Sequence, residues 1–259
     1  MTAGDRSGAS GAYAPDEMMA VAAARELRSG MTCFVGVGLP SVAANLARAT
    51  HAPGIVLIYE SGTIGAKPAH LPLSIGDGEL AETADAVVSV PEIFNYWVQP
   101  GRIDVGFLGA AQIDRFGNIN TTVIGSYDHP AVRLPGAGGA PEIAASTREV
   151  IVIVTHSVRT FVERLDFVTS VGHAPARFDG GEERESGGPS TVITDLGILR
   201  AHPRSRELTL TEIHPGVTVE QARAATGWEL AVAETLAETT PPSNLELAAL
   251  RRLKSGRSE

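Results

Sequence analysis

The amino-acid sequence opens with a helical pattern and then alternates short apolar runs with further helical segments. A helix is predicted over residues 17–28, because Pro15 suits its first turn and Gly30 suits its end. Apolar runs at 33–37 and 55–59 predict buried strands, and residues 43–48 between them are typical of a helix. This strand–helix–strand order indicates a parallel sheet with helices against its faces.

The alternation continues along the chain and predicts an α/β fold, with an open, mostly parallel sheet flanked by helices. Ser243 and Glu246 form a capping-box pattern that begins a last helix through Leu253. We expect a single domain over residues 13–254, flexible tails at 1–12 and 255–259, and a mobile acidic loop at 179–189. The other predicted strands are 86–90, 105–110, 118–124, 150–155, 191–199 and 207–213, with a short helix at 92–98.

The composition limits the class of protein further. The 259-residue chain has a formal net charge of −9, which argues against nucleic acid or an anionic membrane as its main partner. Its single cysteine, Cys33, excludes a disulfide framework and a multi-cysteine zinc site. No apolar run approaches the ~18 residues of a membrane span, and the first residues lack the apolar core of a secretory signal. We therefore expect a soluble, cytoplasmic protein.

Two glycine-containing loops are candidates for binding a phosphate or an acyl group. In the first, Gly36, Gly38 and Ser41 follow a predicted strand and lead into a helix. This spacing resembles a dinucleotide fingerprint, but Ser41 stands where the third glycine belongs. Glu60 ends the next strand, near the offset at which an acid binds ribose. An NAD-binding oxidoreductase is therefore one alternative, and a tight turn without a ligand is the other.

The second loop spans residues 134–142 and carries Gly136, Gly138 and Gly139. Closely spaced glycines let the backbone approach a ligand, and exposed N–H groups before a helix favour an anionic or carbonyl oxygen. A merely flexible connector is the alternative, but Pro135 and Pro141 stiffen this loop and so favour a binding role.

Glu60 is the candidate reactive group. It follows an apolar strand and precedes Gly62 and Gly65, at the edge of the sheet where open α/β folds build their sites. A carboxylate that is partly stripped of water can act there as a nucleophile. The alternative is an acid that merely ends a strand.

Longer stretches of the chain resemble the β subunits of family I CoA-transferases, from about residue 16 to about residue 253. Among these subunits, the likeness is strongest to those of enzymes that act on 3-oxoadipate or on glutaconate. The stretches that carry the resemblance are 59–62, 65–68, 71–80, 107–120 and 136–140.

The resemblance assigns roles to particular residues. The family's catalytic glutamate lies in a Glu-x-Gly motif, which here is Glu60-Ser61-Gly62. More distant relatives that cleave rings by hydrolysis lack this glutamate. Backbone N–H groups near Gly62 and in the second loop are expected to bind the oxyanion of the tetrahedral intermediates. The family's loop beside CoA and the thioester corresponds here to Gly136, Ala137, Gly138, Gly139 and Ala140.

The resemblance also implies a reaction and a partner. CoA would move from succinyl-CoA to 3-oxoadipate, in the catabolism of aromatic compounds, through a glutamyl-CoA thioester and with ping-pong kinetics. The CoA thioester is a substrate, and no cofactor or metal is expected. The family builds its site between an α and a β subunit, so we expect a heterodimer or an α2β2 heterotetramer. Transfer to glutaconate or another dicarboxylate, hydrolysis of a CoA thioester, and a non-catalytic sensing subunit are the alternatives.

Polar residues elsewhere are weaker candidates. Lys67 or Arg102 would bind the distal carboxylate of a dicarboxylic acid, and Ser74, Asp77 or Asn120 would orient Glu60. Each of these residues is better explained as an ordinary surface or capping residue.

Overall fold

The computed structural model describes residues 13–173 and 188–256. Its strands are β1 (Thr32–Val35), β2 (Val56–Tyr59), β3 (Thr63–Ile64), β4 (Ala86–Val87), β5 (Val105–Leu108), β6 (Gln112–Ile113), β7 (Ile119–Asn120), β8 (Val123–Gly125), β9 (Pro130–Arg133), β10 (Glu149–Ile153), β11 (Pro189–Ile193), β12 (Gly197–Ala201), β13 (Leu208–Ile213) and β14 (Ala231–Glu238). The main sheet runs in the order β14-β13-β12-β11-β10-β5-β1-β2-β3-β4. The five central strands, β11 to β2, are parallel, so the predicted fold class is confirmed.

Helices cover both faces of this sheet. Successive strand residues point to opposite faces, and the β1 residues Cys33 and Val35 pack in one core with the first, second and last helices. Phe34 and Ile58 pack in a second core on the other face, together with Ile93 and Ile143. The helices are α1 (Pro15–Arg25), α2 (Leu39–Ala49), α3 (Gly78–Glu82), α4 (Val90–Glu92), a π-helix (Ile93–Val98), α5 (Ala140–Ser146), α6 (Val219–Ala224) and α7 (Asn244–Ser255).

The last helix returns to pack beside the first. Arg251 of α7 donates hydrogen bonds of 2.8 and 2.9 Å to the Glu17 carboxylate in α1. These bonds lower the pKa of Glu17 to about 2. Arg25 of α1 pairs in turn with Glu246 of α7, and Glu246 also closes the predicted capping box with Ser243.

Polar side chains divide two of the predicted strands. The run at 118–124 is split into β7 and β8, because the side-chain oxygen of Asn120 accepts hydrogen bonds from the N–H groups two and three residues further on. The run at 191–199 is split into β11 and β12, because the Thr194 hydroxyl accepts hydrogen bonds in the same way. Such local bonds compete with the ladder of a continuous strand.

Other predictions differ from the structure in length. The run at 86–90 is a strand only over β4, the helix predicted at 92–98 is mainly a π-helix, and α7 includes Ser255 from the predicted tail. Residues 179–187 of the predicted acidic loop lie outside the described residues, as do 1–12 and 257–259. Within the described part of the chain, no helix has the length and apolar character needed to cross a membrane.

Candidate active site

The carboxyl ends of three neighbouring parallel strands, β5, β1 and β2, border a cleft with a volume of about 310 Å³. β2 pairs with one side of β1 and β5 with the other. The chain order therefore reverses at β1, and open α/β sheets bind their ligands at such a reversal. Glu60 lines this cleft together with the whole predicted loop, which comprises Gly136, Ala137, Gly138, Gly139 and Ala140.

The Glu60 carboxylate belongs to the face of the sheet that carries the second core. Tyr59, the last residue of β2, packs with α2 on the opposite face, and strand alternation directs the next side chain into the cleft. Glu60 is partly exposed, and no described residue forms a hydrogen bond or an ion pair with its carboxylate. Phe34 and Phe107 supply apolar walls beside it. A carboxylate in these surroundings keeps its lone pairs available for attack on a carbonyl carbon.

Hydrogen bonds hold the glycine loop at both ends, and at the α5 end the Ile143 N–H donates to the Gly139 carbonyl oxygen at 3.0 Å. The Gly136 N–H donates to the Thr121 carbonyl oxygen at 2.9 Å, and the Thr121 hydroxyl donates to the Gly136 carbonyl oxygen at 2.8 Å. Gly136 and Gly138 have φ angles of +101° and +49°, a region that favours glycine. The N–H groups of Ala137, Gly138 and Gly139 have no acceptor among the described residues. Donors of this kind bind an oxyanion or a thioester carbonyl.

Gly139 is the loop residue that lies near the Glu60 carboxylate and the Phe94 ring. A Cβ atom built on Gly139 would lie 3.4 Å from Glu60 Oε1 and only 2.5 Å from Cζ of Phe94. The φ angle of Gly139 is −83°, which any residue adopts. Close packing, and not backbone conformation, therefore requires glycine at this position.

Gly62 has a different place from the one predicted. Its N–H donates to the Tyr59 carbonyl oxygen at 3.0 Å, so this donor is already engaged in the turn after β2. Its φ angle is +110°, and a Cβ there would overlap the Val88 carbonyl oxygen. Gly62 does not line the cleft. It shapes the turn that follows Glu60, and the glycine loop at 136–140 supplies N–H groups that line the cleft and have no acceptor in the described part of the chain.

The weaker polar candidates are occupied elsewhere. Lys67 pairs with Asp85, and Asp77 caps the start of α3. The buried Asn120 amide donates to Gln112 and to the Val123 carbonyl. The remaining candidates, Ser74 and Arg102, are exposed, and none of the five predicted residues lines the cleft.

The first glycine loop contributes to the same cleft. Gly36 lines it, whereas Ser41 is buried, with its hydroxyl 3.5 Å from the Tyr59 hydroxyl. The position that distinguishes this loop from a dinucleotide fingerprint therefore belongs to the core beneath α2. In the described part of the chain, no three His, Cys, Asp or Glu residues come together as a metal site.

The place of three aromatic residues around Glu60 was not predicted from the sequence. Phe34 and Phe107 read as ordinary strand residues, and Phe94 lay in a segment predicted as a plain helix. The positions of Phe34 and Phe107 near the carboxyl ends of predicted strands could have indicated their place at the site, because open α/β sheets bind their ligands there. Phe94 had no local signal, since its contact with Gly139 joins distant parts of the chain.

The chain is also similar in sequence to known proteins. The family profile described as coenzyme A transferase matches residues 16–225. The chain is 61% identical over 249 residues to the B subunit of 3-oxoadipate CoA-transferase from Pseudomonas knackmussii, covering 94% of each chain. It is 34% identical over 238 residues to the B subunit of glutaconate CoA-transferase from Acidaminococcus fermentans, covering 88% of each.

A solved structure extends the likeness to three dimensions. The crystal structure of glutaconate CoA-transferase from Acidaminococcus fermentans superposes with a TM-score of 0.88 at 31% identity, over 95% of this chain and 97% of that one. The family profile covers most of the chain, including all three strand ends and both glycine loops of the cleft. The chain belongs to the coenzyme A transferase family.

Proposed function

We propose that this chain is the glutamate-bearing β subunit of a CoA-transferase that moves CoA from succinyl-CoA to 3-oxoadipate. The observation that carries the proposal is the unpaired Glu60 carboxylate, which lies beside a loop with free N–H groups. The high similarity to the Pseudomonas knackmussii protein supports this choice of substrates.

In the first half-reaction, a Glu60 carboxylate oxygen attacks the thioester carbonyl of succinyl-CoA. The carbon–sulfur bond breaks, CoA leaves as the thiolate, and succinyl and Glu60 are joined as a mixed anhydride. The thiolate then attacks the Glu60 side-chain carbonyl and expels succinate. Glu60 is left as its CoA thioester, and no net proton is taken up or released.

The second half-reaction runs the same steps with the acceptor. A 3-oxoadipate carboxylate attacks the glutamyl carbonyl and expels CoA thiolate, which then attacks the acceptor's acyl carbon and releases Glu60 as the carboxylate. A thioester is exchanged for a thioester, so the reaction needs no external source of free energy. Because CoA remains on the enzyme between the two acids, the kinetics are ping-pong.

The residues of this chain supply two of the reaction's physical needs. Each addition step places negative charge on a carbonyl oxygen, and the free N–H groups of Ala137, Gly138 and Gly139 are the proposed donors, each worth roughly 3 kcal/mol. The anhydride and the glutamyl thioester must also be kept from water. Phe34 and Phe107 serve that need as the apolar walls of the cleft.

A third need points to the partner. Both acids carry a second carboxylate, yet the residues that line the cleft within the described part of this chain include no Lys, Arg or His. We propose that an α subunit closes the cleft, supplies the group that binds the distal carboxylate, and forms a heterodimer or an α2β2 heterotetramer with this chain.

Product analysis of the assembled complex tests the proposal. With succinyl-CoA and 3-oxoadipate, we expect equal amounts of 3-oxoadipyl-CoA and succinate, with little free CoA. Glu60→Gln keeps the shape of the side chain and should abolish transfer. Glu149→Gln is the matched control, because Glu149 is exposed at the start of β10, the end of the strand away from the cleft. Free CoA released at the same rate with and without acceptor would identify a hydrolase instead. Faster transfer to glutaconate than to 3-oxoadipate would overturn the assignment of the acceptor.

A further inference from the structure

The π-helix next to the cleft places an aromatic ring against the glycine loop. Its backbone bonds join residues five apart, from the Gln99 N–H to the Phe94 carbonyl oxygen at 2.9 Å. Ile93 and Val98 are both fully buried in the second core. In an α-helix, residues five apart diverge by about 140° around the axis, so the wider turn lets both anchor the helix. Such π turns are frequent at functional sites.

Phe94 lies between two parts of the cleft. Its ring centroid is 6.1 Å from that of Phe34, at an angle of 55°, and Phe34 lines the cleft. On its other side, the Cζ and Cε1 atoms lie 2.5 and 2.8 Å from the position of a Gly139 Cβ. The same point is 3.4 Å from Glu60 Oε1. The ring edge and the carboxylate therefore meet the loop at one residue.

We propose that Phe94 is a positioning residue, whose ring fixes the height of the Gly138–Gly139 backbone relative to the Glu60 carboxylate. This inference rests on the proposed function. Thr121 fixes the Gly136 end of the loop, and at the other end the Gly139 carbonyl oxygen accepts a hydrogen bond from the Ile143 N–H of α5 at 3.0 Å. The Phe94 ring adds a side-chain contact at Gly139, which sets the free N–H groups to face the oxygen of the carbonyl that Glu60 attacks. The ring also covers the carboxylate side of the loop against water.

The contact predicts a specific kind of defect in the assembled complex. Phe94→Leu removes the ring edge from the loop, so kcat for transfer should fall by about 10- to 100-fold, as expected for a misplacement of about 1 Å. The KM for succinyl-CoA should change little, because the remote part of CoA supplies the binding. Release of free CoA per transfer event should rise, since water reaches the intermediates. Phe94→Met is the second variant, with a longer, unbranched side chain that also lacks the ring.

A double variant tests the contact from its other side. Gly139→Ala alone forces a methyl group against the ring and should lower kcat as well. In Phe94→Leu/Gly139→Ala, the methyl group occupies space that the ring has left, so kcat should exceed that of Gly139→Ala. The matched control is Phe167→Leu, because Phe167 is also half-buried and also belongs to an aromatic pair, with Tyr127. Phe167→Leu should keep the wild-type kcat and the wild-type release of free CoA per transfer event.

The outcomes separate this inference from the function beneath it. A wild-type complex that forms no 3-oxoadipyl-CoA contradicts the proposed function and this inference with it. If the wild-type complex transfers CoA, two results overturn the positioning role alone. One is wild-type kcat and CoA release in assembled Phe94→Leu or Phe94→Met. The other is a double variant whose loss equals the product of the two single losses.

Discussion

Gly139 lies so near the Glu60 carboxylate that a Cβ atom built on it would be 3.4 Å from Glu60 Oε1. Glu60 follows β2, and Gly139 belongs to the loop before α5. Their meeting places a nucleophile beside unpaired backbone donors, which is the arrangement that acyl transfer requires.

The length of the Glu60 side chain is expected to be critical. In Glu60→Asp the carboxylate retreats by one methylene, about 1 Å or more, so kcat for transfer should fall by about 100-fold or more. Stability should change little, because no described residue bonds the carboxylate. Steady-state kinetics of the assembled complex, with its thermal midpoint as the control, measures both. An Asp variant with near-wild-type kcat would show that this carboxylate is not the nucleophile.

Two glycines near the site should respond differently to alanine. A Cβ on Gly138 meets open space in the cleft, and its left-handed backbone costs an added side chain about 1–2 kcal/mol. Gly138→Ala should therefore still fold. Its methyl group would occupy space in the cleft, so the variant should lose transferase activity. A Cβ on Gly62 overlaps the Val88 carbonyl oxygen, so Gly62→Ala should lose about 3 kcal/mol or fail to fold.

Urea denaturation and transfer assays on both variants distinguish the roles. A Gly62→Ala variant with wild-type stability and no activity would restore Gly62 to the oxyanion site expected from the sequence. A fully active Gly138→Ala variant would show that Gly138 has no role at the site.

Buried histidines should make the subunit sensitive to mild acid. Burial lowers the pKa of His156 to about 4, against a smaller opposing effect of Asp195. Burial likewise lowers the pKa of His173 and of His214. The unfolded chain binds protons on these rings at a higher pH than the folded chain does. The contribution of His156 to stability is therefore complete above about pH 6.5 and is lost as the pH falls toward 4, and the contributions of His173 and His214 change in the same direction.

The part of this pH dependence that comes from His156 can be measured separately. His156 donates or accepts hydrogen bonds with Thr226 and Thr194, and His156→Gln replaces it with a group that does not titrate. Between about pH 6.5 and 4, the unfolding free energy of the variant should fall less steeply than that of the wild type. The difference between the two slopes should be about 1.4 kcal/mol per pH unit. His129→Gln is the control, since His129 is exposed. Equal slopes for His156→Gln and wild type would contradict this account.

Cys33 is expected to be inert in the folded protein. It is fully buried, and burial raises the pKa of its thiol far above the ordinary value, so the reactive thiolate does not form. Iodoacetamide should leave the native complex unlabelled at position 33 and should label this residue in urea. Because the chain has a single cysteine, intact-mass measurement of the chain reads the result directly. Rapid labelling of the native protein would show that β1 opens more readily than its packing implies.

The sequence predicted those features that depend on local patterns. Apolar runs gave the central strands β1, β2 and β10, because a strand buried on both faces is apolar at every position. The end of β2 marked Glu60, since open α/β sheets place their sites there. The role of the second glycine loop came from the resemblance to known CoA-transferases, because glycines alone also mark flexible connectors.

Features that depend on distant contacts could not be predicted. The turn at Thr194 and the break at Asn120 arise from side chains that capture backbone N–H groups, and either residue is also at home in a strand. Phe94 has no local signal, because its partner Gly139 belongs to another element. The N–H of Gly62 was expected at the site, and only the turn geometry reveals that Tyr59 already accepts its hydrogen bond.

The central claim is that the Glu60 side chain carries CoA between the two acids. The most direct test incubates the assembled complex with succinyl-CoA in the absence of acceptor, reduces it with borohydride, and maps the peptides by mass spectrometry. Borohydride reduces a thioester to an alcohol, so the account predicts that position 60 is recovered as the alcohol of glutamate and that transferase activity is lost in proportion. Recovery of unmodified Glu60 from a complex that is active before reduction, under conditions that consume succinyl-CoA, would contradict the account.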